Sequence, residues 1–316
     1  MTARHPIIGV TGSSGAGTST AVRAFERLCA RLGIRAAIVE GDAFHSYDRE
    51  GNRRAIARAR IRGEHFSLLG PAGNLLMRLE TLLREYGHSG TGISRRYLHT
   101  EAEALQARQG VGTFTPWMPL PADTDVLFYE GLHGGYVGED ANIAQHMDLL
   151  VGVVPIVNLE WIQKIRRDND ERGSTPTEIT STILRRMPDY VNHIAPQFSR
   201  TDVNFQRVPL VDTSNPFVVQ EIPGNEESLV VIHFNDHTRL SADLDRYEVQ
   251  IPGAFKSNAQ TLVVPGEQIE TAMEAILSPA LEALLARRAQ ALAAAAGANP
   301  LPPGSPPDSP TDIAAA

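Results

Sequence analysis

The feature that most constrains the fold of this chain is a glycine- and serine-rich turn near its N-terminus. The sequence GSSGAGTST, residues 12–20, follows an apolar run at 7–10 and precedes a stretch, 19–32, with helical spacing. A strand, such a turn and a helix form a phosphate-binding loop, because small residues let backbone N–H groups converge on phosphate oxygens at the positive end of the helix. The predicted nucleotide-binding residues are Gly12, Ser13, Ser14, Gly15, Ala16, Gly17, Thr18, Ser19 and Thr20.

Two positions of this loop carry most of its chemical information. Ser19 stands where such loops direct a hydroxyl at Mg²⁺. The position before it usually holds lysine and is Thr18 here. A phosphoryl-transfer site still has to neutralise the β- and γ-phosphates, so the sequence predicts that a cation comes from elsewhere in the chain. A glycine-rich turn that binds nothing is the alternative interpretation.

Composition narrows the classes of function. The chain has 316 residues, of which 42% are hydrophobic, enough for one large α/β domain or two small ones. A formal net charge of −8 and an isoelectric point of about 5.7 disfavour a nucleic-acid partner. The single cysteine, Cys29, rules out an internal disulfide. With no signal-peptide pattern and no apolar run long enough for a bilayer, we expect a cytoplasmic protein without a membrane partner.

Short apolar runs alternate with helical patterns along the chain. The predicted strands are 7–11, 36–40, 126–130, 149–154 and 229–234, with weaker candidates, as antiparallel additions, at 203–211 and 245–251. The predicted helices are 19–32, 53–62, 73–86, 159–172 and 266–289. This alternation predicts an α/β sheet with right-handed crossovers. We expect lids or substrate loops at 87–96 and 110–124, one folded domain over 1–289, and a disordered Ala/Pro-rich tail over 290–316.

Two predicted strands end in carboxylates. Asp42 follows the second strand and is expected to face the phosphate loop, because open α/β sheets bind ligands past the carboxyl ends of their strands. A kinase acting on an alcohol needs a carboxylate to accept the hydroxyl proton, although a helix-capping aspartate fits the position equally well. Glu130 ends the strand DVLFYE in a Walker B pattern that directs a carboxylate to Mg²⁺; a solvent-facing strand end is the alternative. A helical turn would bring His45 and Arg49 together to hold an anionic substrate.

The cation missing from the loop has candidates on the predicted helix 159–172. Lys164, Asp168 and Arg172 recur every four residues on one face, with Arg167 beside them. Lys164 or Arg167 is a natural replacement for the loop lysine, and Asp168 is a candidate for binding metal or a substrate hydroxyl. A solvated ladder of ion pairs produces the same spacing.

Basic residues also cluster in two other places. One cluster is a candidate clamp for a sugar phosphate, since arginine binds phosphate through two parallel N–H groups, or else a mobile surface loop. Its members are Arg95, Arg96, Tyr97 and His99. Arg185 and Arg186 form a second pair, which we expect to be exposed.

Several motifs together resemble one family. VTGSSGAGTST, VEGDAFH, FYEGLHGG and VNLEWIQKIRRDNDERG are similar to the motifs of bacterial-type phosphoribulokinases, as are TPWMPLP, HIAPQFSRT and DTSNPF. The resemblance covers roughly residues 5–285. It implies a P-loop NTPase fold similar to nucleoside-monophosphate kinases, with a mixed, mostly parallel sheet flanked by helices. It also implies transfer of the ATP γ-phosphate to the 1-hydroxyl of ribulose 5-phosphate, a Calvin cycle reaction. The loop of this bacterial branch lacks lysine too.

The resemblance implies roles for single residues. In catalysis they are Asp42 as the base, Lys164 and Arg167 as cations on the transferred phosphoryl group, and Asp168 as a second carboxylate. The implied metal ligands are Ser19 and Glu130, with ATP and Mg²⁺ as cofactors. The implied sugar-phosphate contacts are His45, Arg49, Tyr97, His99 and Arg172. The family further implies a homo-oligomer, commonly an octamer.

Two positions depart from the family, whose bacterial members are activated by NADH and inhibited by AMP through arginines in the C-terminal portion. His233 and Asn258 stand where arginines are expected, while Arg31 is kept, so the response to NADH is an open question. Other interpretations are a kinase of another sugar phosphate, a uridine- or pantothenate-kinase-like enzyme, which usually keeps the loop lysine, and a non-catalytic nucleotide sensor, which needs no base.

Overall fold

The strands of the protein form one large sheet and one small pair. The computed structural model describes residues 4–13, 17–170, 175–217, 221–240 and 242–297. The strands in these ranges are β1 (Ile7–Gly12), β2 (Ala36–Glu40), β3 (Ile93–Ser94), β4 (Met118–Pro119), β5 (Val126–Gly131), β6 (Leu149–Val154), β7 (Val203–Pro209), β8 (Ser228–Phe234), β9 (Phe255–Asn258) and β10 (Thr261–Pro265). Eight of them follow the order β2-β5-β1-β6-β7-β8-β10-β9, and β3 pairs with β4.

The large sheet has a parallel part and an antiparallel part. The neighbours β2, β5, β1, β6 and β7 are parallel, whereas β8, β10 and β9 join it antiparallel. The connection that leaves β1 leads to β2 on one side of it, and the connection that leaves β5 crosses to β6 on the other side. The carboxyl end of β1 is therefore a topological switch point, where open α/β sheets bind ligands. The predicted α/β class with a mixed sheet is confirmed.

Helices cover both faces of this sheet. They are α1 (Thr18–Leu32), α2 (Arg49–Ile61), α3 (Leu76–Ser89), α4 (Glu101–Ala107), α5 (Val157–Asp170), α6 (Pro176–Asp189), α7 (His237–Leu240), α8 (Leu244–Gln250) and α9 (Ile269–Gly297). Successive side chains of a strand point to opposite faces, so the parallel strands feed two apolar cores. Ile8 and Phe128 join the core beneath α1 and α9, whereas Ile7 and Leu127 join the core beneath α3. No helix in the described ranges is long and apolar enough to cross a membrane.

Some predicted elements differ from the structure. Residues 245–250 of the strand predicted at 245–251 lie in α8 instead, and Ile251 is its C-cap. The Asp243 carboxylate caps the start of this helix by accepting from the Arg246 N–H at 3.1 Å. The strand predicted at 203–211 forms as β7 but is parallel to β6, and the sequence analysis missed β9 and β10. Helix α9 continues to Gly297, beyond the predicted start of the tail, and 298–316 lie outside the described residues.

The two long irregular segments pair with each other. β3 and β4 are antiparallel partners, and the Leu98 N–H donates to the Thr113 carbonyl at 2.9 Å. The Thr115 N–H donates to the Arg96 carbonyl at 2.9 Å and continues this ladder. Residues 91–120, here called the β3–β4 arm, therefore form one tied unit with α4 between its two sides, in place of two separate loops.

Candidate active site

A cavity of about 570 Å³ opens where the parallel strands end, within the range of small-molecule sites. Its walls come from the loop after β1, the turn after β2, α2, the β3–β4 arm, α5 and α6. The predicted site residues that line it are Ser13, Asp42, His45, Arg49, Tyr97, His99 and Lys164. Side chains that are up to 151 residues apart in sequence therefore share one cavity.

Asp42 lies in a single 3-10 turn, Gly41–Phe44, directly after β2. Its Oδ1 atom is 3.1 Å from His45 Nε2 and its Oδ2 atom is 3.6 Å from His99 Nε2. Burial favours the neutral acid, but the hydrogen bond and charge of His45 outweigh it, so the pKa of Asp42 is lowered. An ionised carboxylate, which is the state that a general base needs, therefore faces the cavity.

His45 and Arg49 reach the cavity by a different route from the predicted one. The 3-10 turn ends at Phe44, and α2 begins only at Arg49. Asp48 caps this helix by accepting from the Gly51 N–H at 2.6 Å. The chain between His45 and Asp48 is not helical, so both side chains line the cavity without lying on one helical turn.

Glu130 stands between the strand of the phosphate loop and the strand of Asp42. In the sheet register it is opposite Val10 of β1 and Glu40 of β2. Burial raises the pKa of Glu130 and the charge of Asp42 adds to this effect, while a hydrogen bond from Thr18 opposes it. The threonine that replaces the loop lysine thus binds the Walker B carboxylate.

Two glycines allow β2 and β5 to end this close together. A Cβ atom added to Gly41 would lie 2.8 Å from the Gly131 Cα and 2.8 Å from the Tyr129 hydroxyl. Any side chain at Gly41 would therefore push apart the strand ends that carry Asp42 and Glu130.

The phosphate loop suits ATP and a divalent cation. Ser14, Gly15 and Ala16 lie outside the described residues, but Gly17 caps α1 in the left-handed region, with a φ of 95°. The buried Ser13 Oγ atom has no hydrogen-bond partner in the described part of the chain. No group of three or more His, Cys, Asp or Glu side chains among the described residues is arranged to hold a metal alone. Mg²⁺ suits such a site, because it takes most of its ligands from phosphates and water.

Helix α5 carries Lys164 into the cavity, next to Glu160 and Trp161. This position agrees with the predicted use of Lys164 as the replacement cation. Arg172 and the side chains of Arg167 and Asp168 lie outside the described residues, so their roles stay predictions.

Arg95 turns away from the cavity, which contradicts its predicted use as a substrate clamp. Its Nε donates to the Ala43 carbonyl at 2.7 Å and its Nη2 to the His45 carbonyl at 2.8 Å. The guanidinium stacks 3.5 Å from the ring centre of Phe114. Burial lowers the pKa of Arg95 to about 10, which leaves it charged at neutral pH. Arg95 therefore holds both ends of the turn that carries Asp42.

The sequence analysis missed two further residues. Arg186, predicted to be exposed, lines the cavity from α6, and its neighbour Arg185 is half-buried and donates to the Phe66 carbonyl at 2.8 Å. Asn74 Oδ1 lies 2.9 Å from His45 Nδ1. In the sequence, Arg186 is marked only by its charge and by its position three residues after the apolar Ile183, a helical spacing. No local signal marks Asn74, because its partner is 29 residues away.

A glycine-rich loop after β1, an acidic residue at the end of β5 and an ionised carboxylate after β2 form the arrangement that is typical of P-loop kinases. A family model described as the phosphoribulokinase / uridine kinase family matches residues 7–214. The chain belongs to this family, and the prediction of an ATP-dependent kinase is confirmed.

Individual relatives cover nearly the whole chain. The plasmid-encoded phosphoribulokinase of Cupriavidus necator is 52% identical over 292 residues, 92% of this chain and 99% of that protein. The probable phosphoribulokinase of Escherichia coli is 54% identical over 285 residues, 90% of this chain and 98% of that protein. The solved structure of phosphoribulokinase from Rhodobacter spheroides has a TM-score of 0.82 at 42% identity, covering 91% of this chain and 99% of its own. The likeness therefore includes the antiparallel strands as well as the cavity.

The positions that depart from the family pattern are not among the residues that line the cavity. His233 Nδ1 is 3.1 Å from Thr261 Oγ1, between β8 and β10, and Asn258 is exposed on β9. The Arg31 Nη2 group donates to Ser278 Oγ at 2.9 Å, between α1 and α9. The response to NADH and AMP stays an open prediction.

Proposed function

We propose that this protein is a phosphoribulokinase, which transfers the γ-phosphoryl group of ATP to the 1-hydroxyl of ribulose 5-phosphate to form ribulose 1,5-bisphosphate. The observation that carries this proposal is Asp42, an ionised carboxylate held at 3.1 Å by His45 in the cavity that Ser13 of the phosphate loop also lines. The names of the close relatives support the sugar phosphate as the acceptor.

Asp42 is the general base of the proposed reaction. Its Oδ2 atom accepts the proton of the attacking hydroxyl while Oδ1 stays on His45. Arg95 donates to both ends of the turn that carries this carboxylate. The carboxylate is therefore held in position before the substrate binds.

The charge on the transferred group is offset by side chains and a metal. Lys164 and Arg167 supply the positive charge that Thr18 does not. Ser19 and Glu130 are the residues that would hold Mg²⁺, which would supply positive charge to offset the charge that develops on the transferred group.

The acceptor is held by the basic wall of the cavity. Arg49 from α2, with Arg172, is proposed to bind the phosphate of ribulose 5-phosphate, because arginine pairs with phosphate through two N–H groups. Tyr97 and His99 from the β3–β4 arm are proposed to contact the sugar, and His45 contacts both the sugar and Asp42. The basic side chains Arg49, Arg53 and Arg186 in the cavity lining suit an anionic acceptor better than a neutral nucleoside.

The test is a coupled assay of ADP release with purified protein, Mg²⁺-ATP and one acceptor at a time. Ribulose 5-phosphate should be turned over, while uridine, ribose 5-phosphate and fructose 6-phosphate should not. Turnover confined to another acceptor, or to none, overturns the proposal. In Arg49→Ala the KM for ribulose 5-phosphate should rise by about tenfold, whereas the exposed Arg58→Ala on the same helix should leave it unchanged.

The resemblance to bacterial phosphoribulokinases also supports a homo-oligomer, for which an octamer is the specific proposal. Light scattering after size-exclusion chromatography tests it, because eight copies of a 34.4 kDa chain differ clearly in mass from a monomer or dimer. A monomer that turns over ribulose 5-phosphate would remove the assembly without removing the activity.

A further inference from the structure

A chain of hydrogen bonds runs behind Asp42 and ends on an amide that does not line the cavity. His45 Nε2 is 3.1 Å from Asp42 Oδ1, and His45 Nδ1 is 2.9 Å from Asn74 Oδ1. The His45 residue is only 6% exposed and lies edge-on to the ring of Tyr97, 6.3 Å between centres. Both ring nitrogens are thus engaged, one by the proposed base and one by Asn74.

The orientation of the Asn74 amide is set by two backbone carbonyls. Its Nδ2 group donates to the Leu68 carbonyl at 2.9 Å and to the Gly70 carbonyl at 2.8 Å. An amide turned by 180° would direct its oxygen at these two carbonyl oxygens and lose both bonds. The observed network therefore keeps Oδ1, which only accepts hydrogen bonds, facing His45.

This orientation decides the protonation of the His45 ring. Because Asn74 Oδ1 is an acceptor, His45 Nδ1 has to carry a proton. A neutral ring would then direct the lone pair of Nε2 at Asp42 Oδ1, which is also an acceptor when ionised. A second proton on Nε2 removes this conflict, so the network favours an imidazolium beside a carboxylate.

The charges around His45 act in both directions. Burial and the charge of Arg186 disfavour the imidazolium, while the hydrogen bond and charge of Asp42, and the bond to Asn74, favour it. The net result is a raised pKa of His45. His99 and His133 also face Asp42 and lower its pKa. The two acceptors, Asp42 Oδ1 and Asn74 Oδ1, therefore oppose the effect of burial on the pKa of His45.

We propose that Asn74 is a positioning residue that keeps His45 in the Nδ1–H form and favours its doubly protonated state, so that Oδ1 of Asp42 is held and Oδ2 is left for the substrate hydroxyl. The catalytic part of this inference rests on the proposed function, in which Asp42 is the base. The protonation of His45 is independent of any activity.

Two variants of Asn74 separate the proposed role from structural damage. Asn74→Leu and Asn74→Asp both lose the N–H donations to Leu68 and Gly70. Aspartate also directs an oxygen at these two carbonyl oxygens, so its structural damage should be at least as large as that of leucine. They differ at His45, since aspartate keeps an acceptor facing Nδ1 and leucine does not. Asn235→Leu is the matched control, because the Asn235 amide also donates to two carbonyls, at 3.0 and 2.9 Å, but outside the cavity lining.

The first measurement is an NMR titration of the full chain with ¹⁵N-labelled histidine, without substrate, in which His45 is assigned by its loss in His45→Gln. The wild type and Asn235→Leu should show the Nδ1–H form and a midpoint above the ordinary 6.5. The midpoint should fall by about one pH unit in Asn74→Leu and should not fall in Asn74→Asp. An equal midpoint in wild type and Asn74→Leu overturns the inference, as does an Nε2–H ring in the wild type.

The second measurement is kcat against pH with ribulose 5-phosphate. The acidic limb reports ionisation of the base in the complex, so it should move to higher pH by about one unit in Asn74→Leu but not in Asn74→Asp. If the acidic limb moves equally in Asn74→Leu and Asn74→Asp, the proposed role of the Asn74 oxygen as an acceptor is wrong. If the wild type does not turn over ribulose 5-phosphate, the proposed function fails, while the NMR titration still decides the state of His45.

Discussion

The parallel end of the sheet (β2, β5 and β1) and its antiparallel end (β8, β10 and β9) both contain buried apolar strands but differ in what the strand ends carry. At the parallel end, Glu40, Asp42 and Glu130 close two neighbouring strands at one edge. At the antiparallel end, His233 and Thr261 pair with each other at 3.1 Å. Parallel strands bring all their carboxyl ends to one edge, whereas antiparallel strands alternate, so only the parallel end gathers chemical groups in one place.

The two ends also differ in whether they bury ionisable side chains. Burial raises the pKa of Glu40 and of Glu130, and the buried Glu40 Oε2 atom has no hydrogen-bond partner in the described part of the chain. At the antiparallel end, Val230, Ile232 and Phe234 of β8 are fully buried among apolar side chains. We infer that the parallel end carries function at some expense of stability, and that the antiparallel end stabilises the fold without taking part in the reaction. Four predictions test this difference, in order of decreasing effect.

Asp42→Asn should reduce kcat by about 10²- to 10⁴-fold, because it removes the proposed proton acceptor and keeps the shape of the side chain. Thermal unfolding should stay close to that of the wild type. Steady-state kinetics with ribulose 5-phosphate, together with a melting curve, measure both quantities. A kcat within threefold of the wild type would remove Asp42 as the base.

Phe234→Ala should lower the free energy of unfolding by about 3–5 kcal/mol, because Phe234 is fully buried against the parallel ring of Tyr247. The kcat per folded molecule should not change. Urea unfolding measures the free energy of unfolding. Steady-state kinetics at low temperature, normalised to the folded fraction, measure kcat. Phe255→Ala, on the half-exposed face of β9, is the control and should be nearly neutral. A loss of kcat in folded Phe234→Ala would mean that the antiparallel end does shape the cavity.

Arg95→Lys should reduce kcat by about tenfold, since one ammonium group does not replace two N–H donations in different directions to the turn of Asp42. The KM for ATP should change little. Arg96→Lys is the neighbouring control, because the Arg96 side chain is exposed and pairs only at 3.4 Å with Glu103. Equal kinetics in the two variants would show that the turn holds its position without Arg95.

The smallest expected effects are those of removing two helix caps, one in the β3–β4 arm and one beside the antiparallel end. Thr100 caps α4 in the β3–β4 arm, and Asp243 caps α8 beside the antiparallel end. Thr100→Ala and Asp243→Ala should each lower the stability by about 1 kcal/mol. Only Thr100→Ala should raise the KM for the sugar phosphate, by about twofold, because His99 precedes it and lines the cavity. An equal KM change in both variants would contradict the division between the two ends.

Prediction from the sequence succeeded where the signal was local. The glycine-rich turn, the strand-end carboxylates and the strands β1, β2, β5 and β6 each follow from spacing within about a dozen residues. The strand β9 was missed because all four of its residues are exposed and show no alternation. Residues 245–251 were read as a strand although Leu244, Tyr247 and Ile251 have helical spacing, a signal that becomes clear once Asp243 is recognised as a cap.

The sequence by itself determined where a glycine-rich turn follows a strand and where strands end in carboxylates, because glycine spacing and strand-terminal acids are properties of short segments. Only the tertiary structure decided that Arg95 faces the backbone, that Arg186 faces the cavity and that Asn74 holds His45. Arg95 and Asn74 bind the turn of Asp42 and the ring of His45 from 29 to 52 residues away. A buried polar group takes the orientation in which its hydrogen bonds are satisfied, and that choice exists only after the distant segments have packed together.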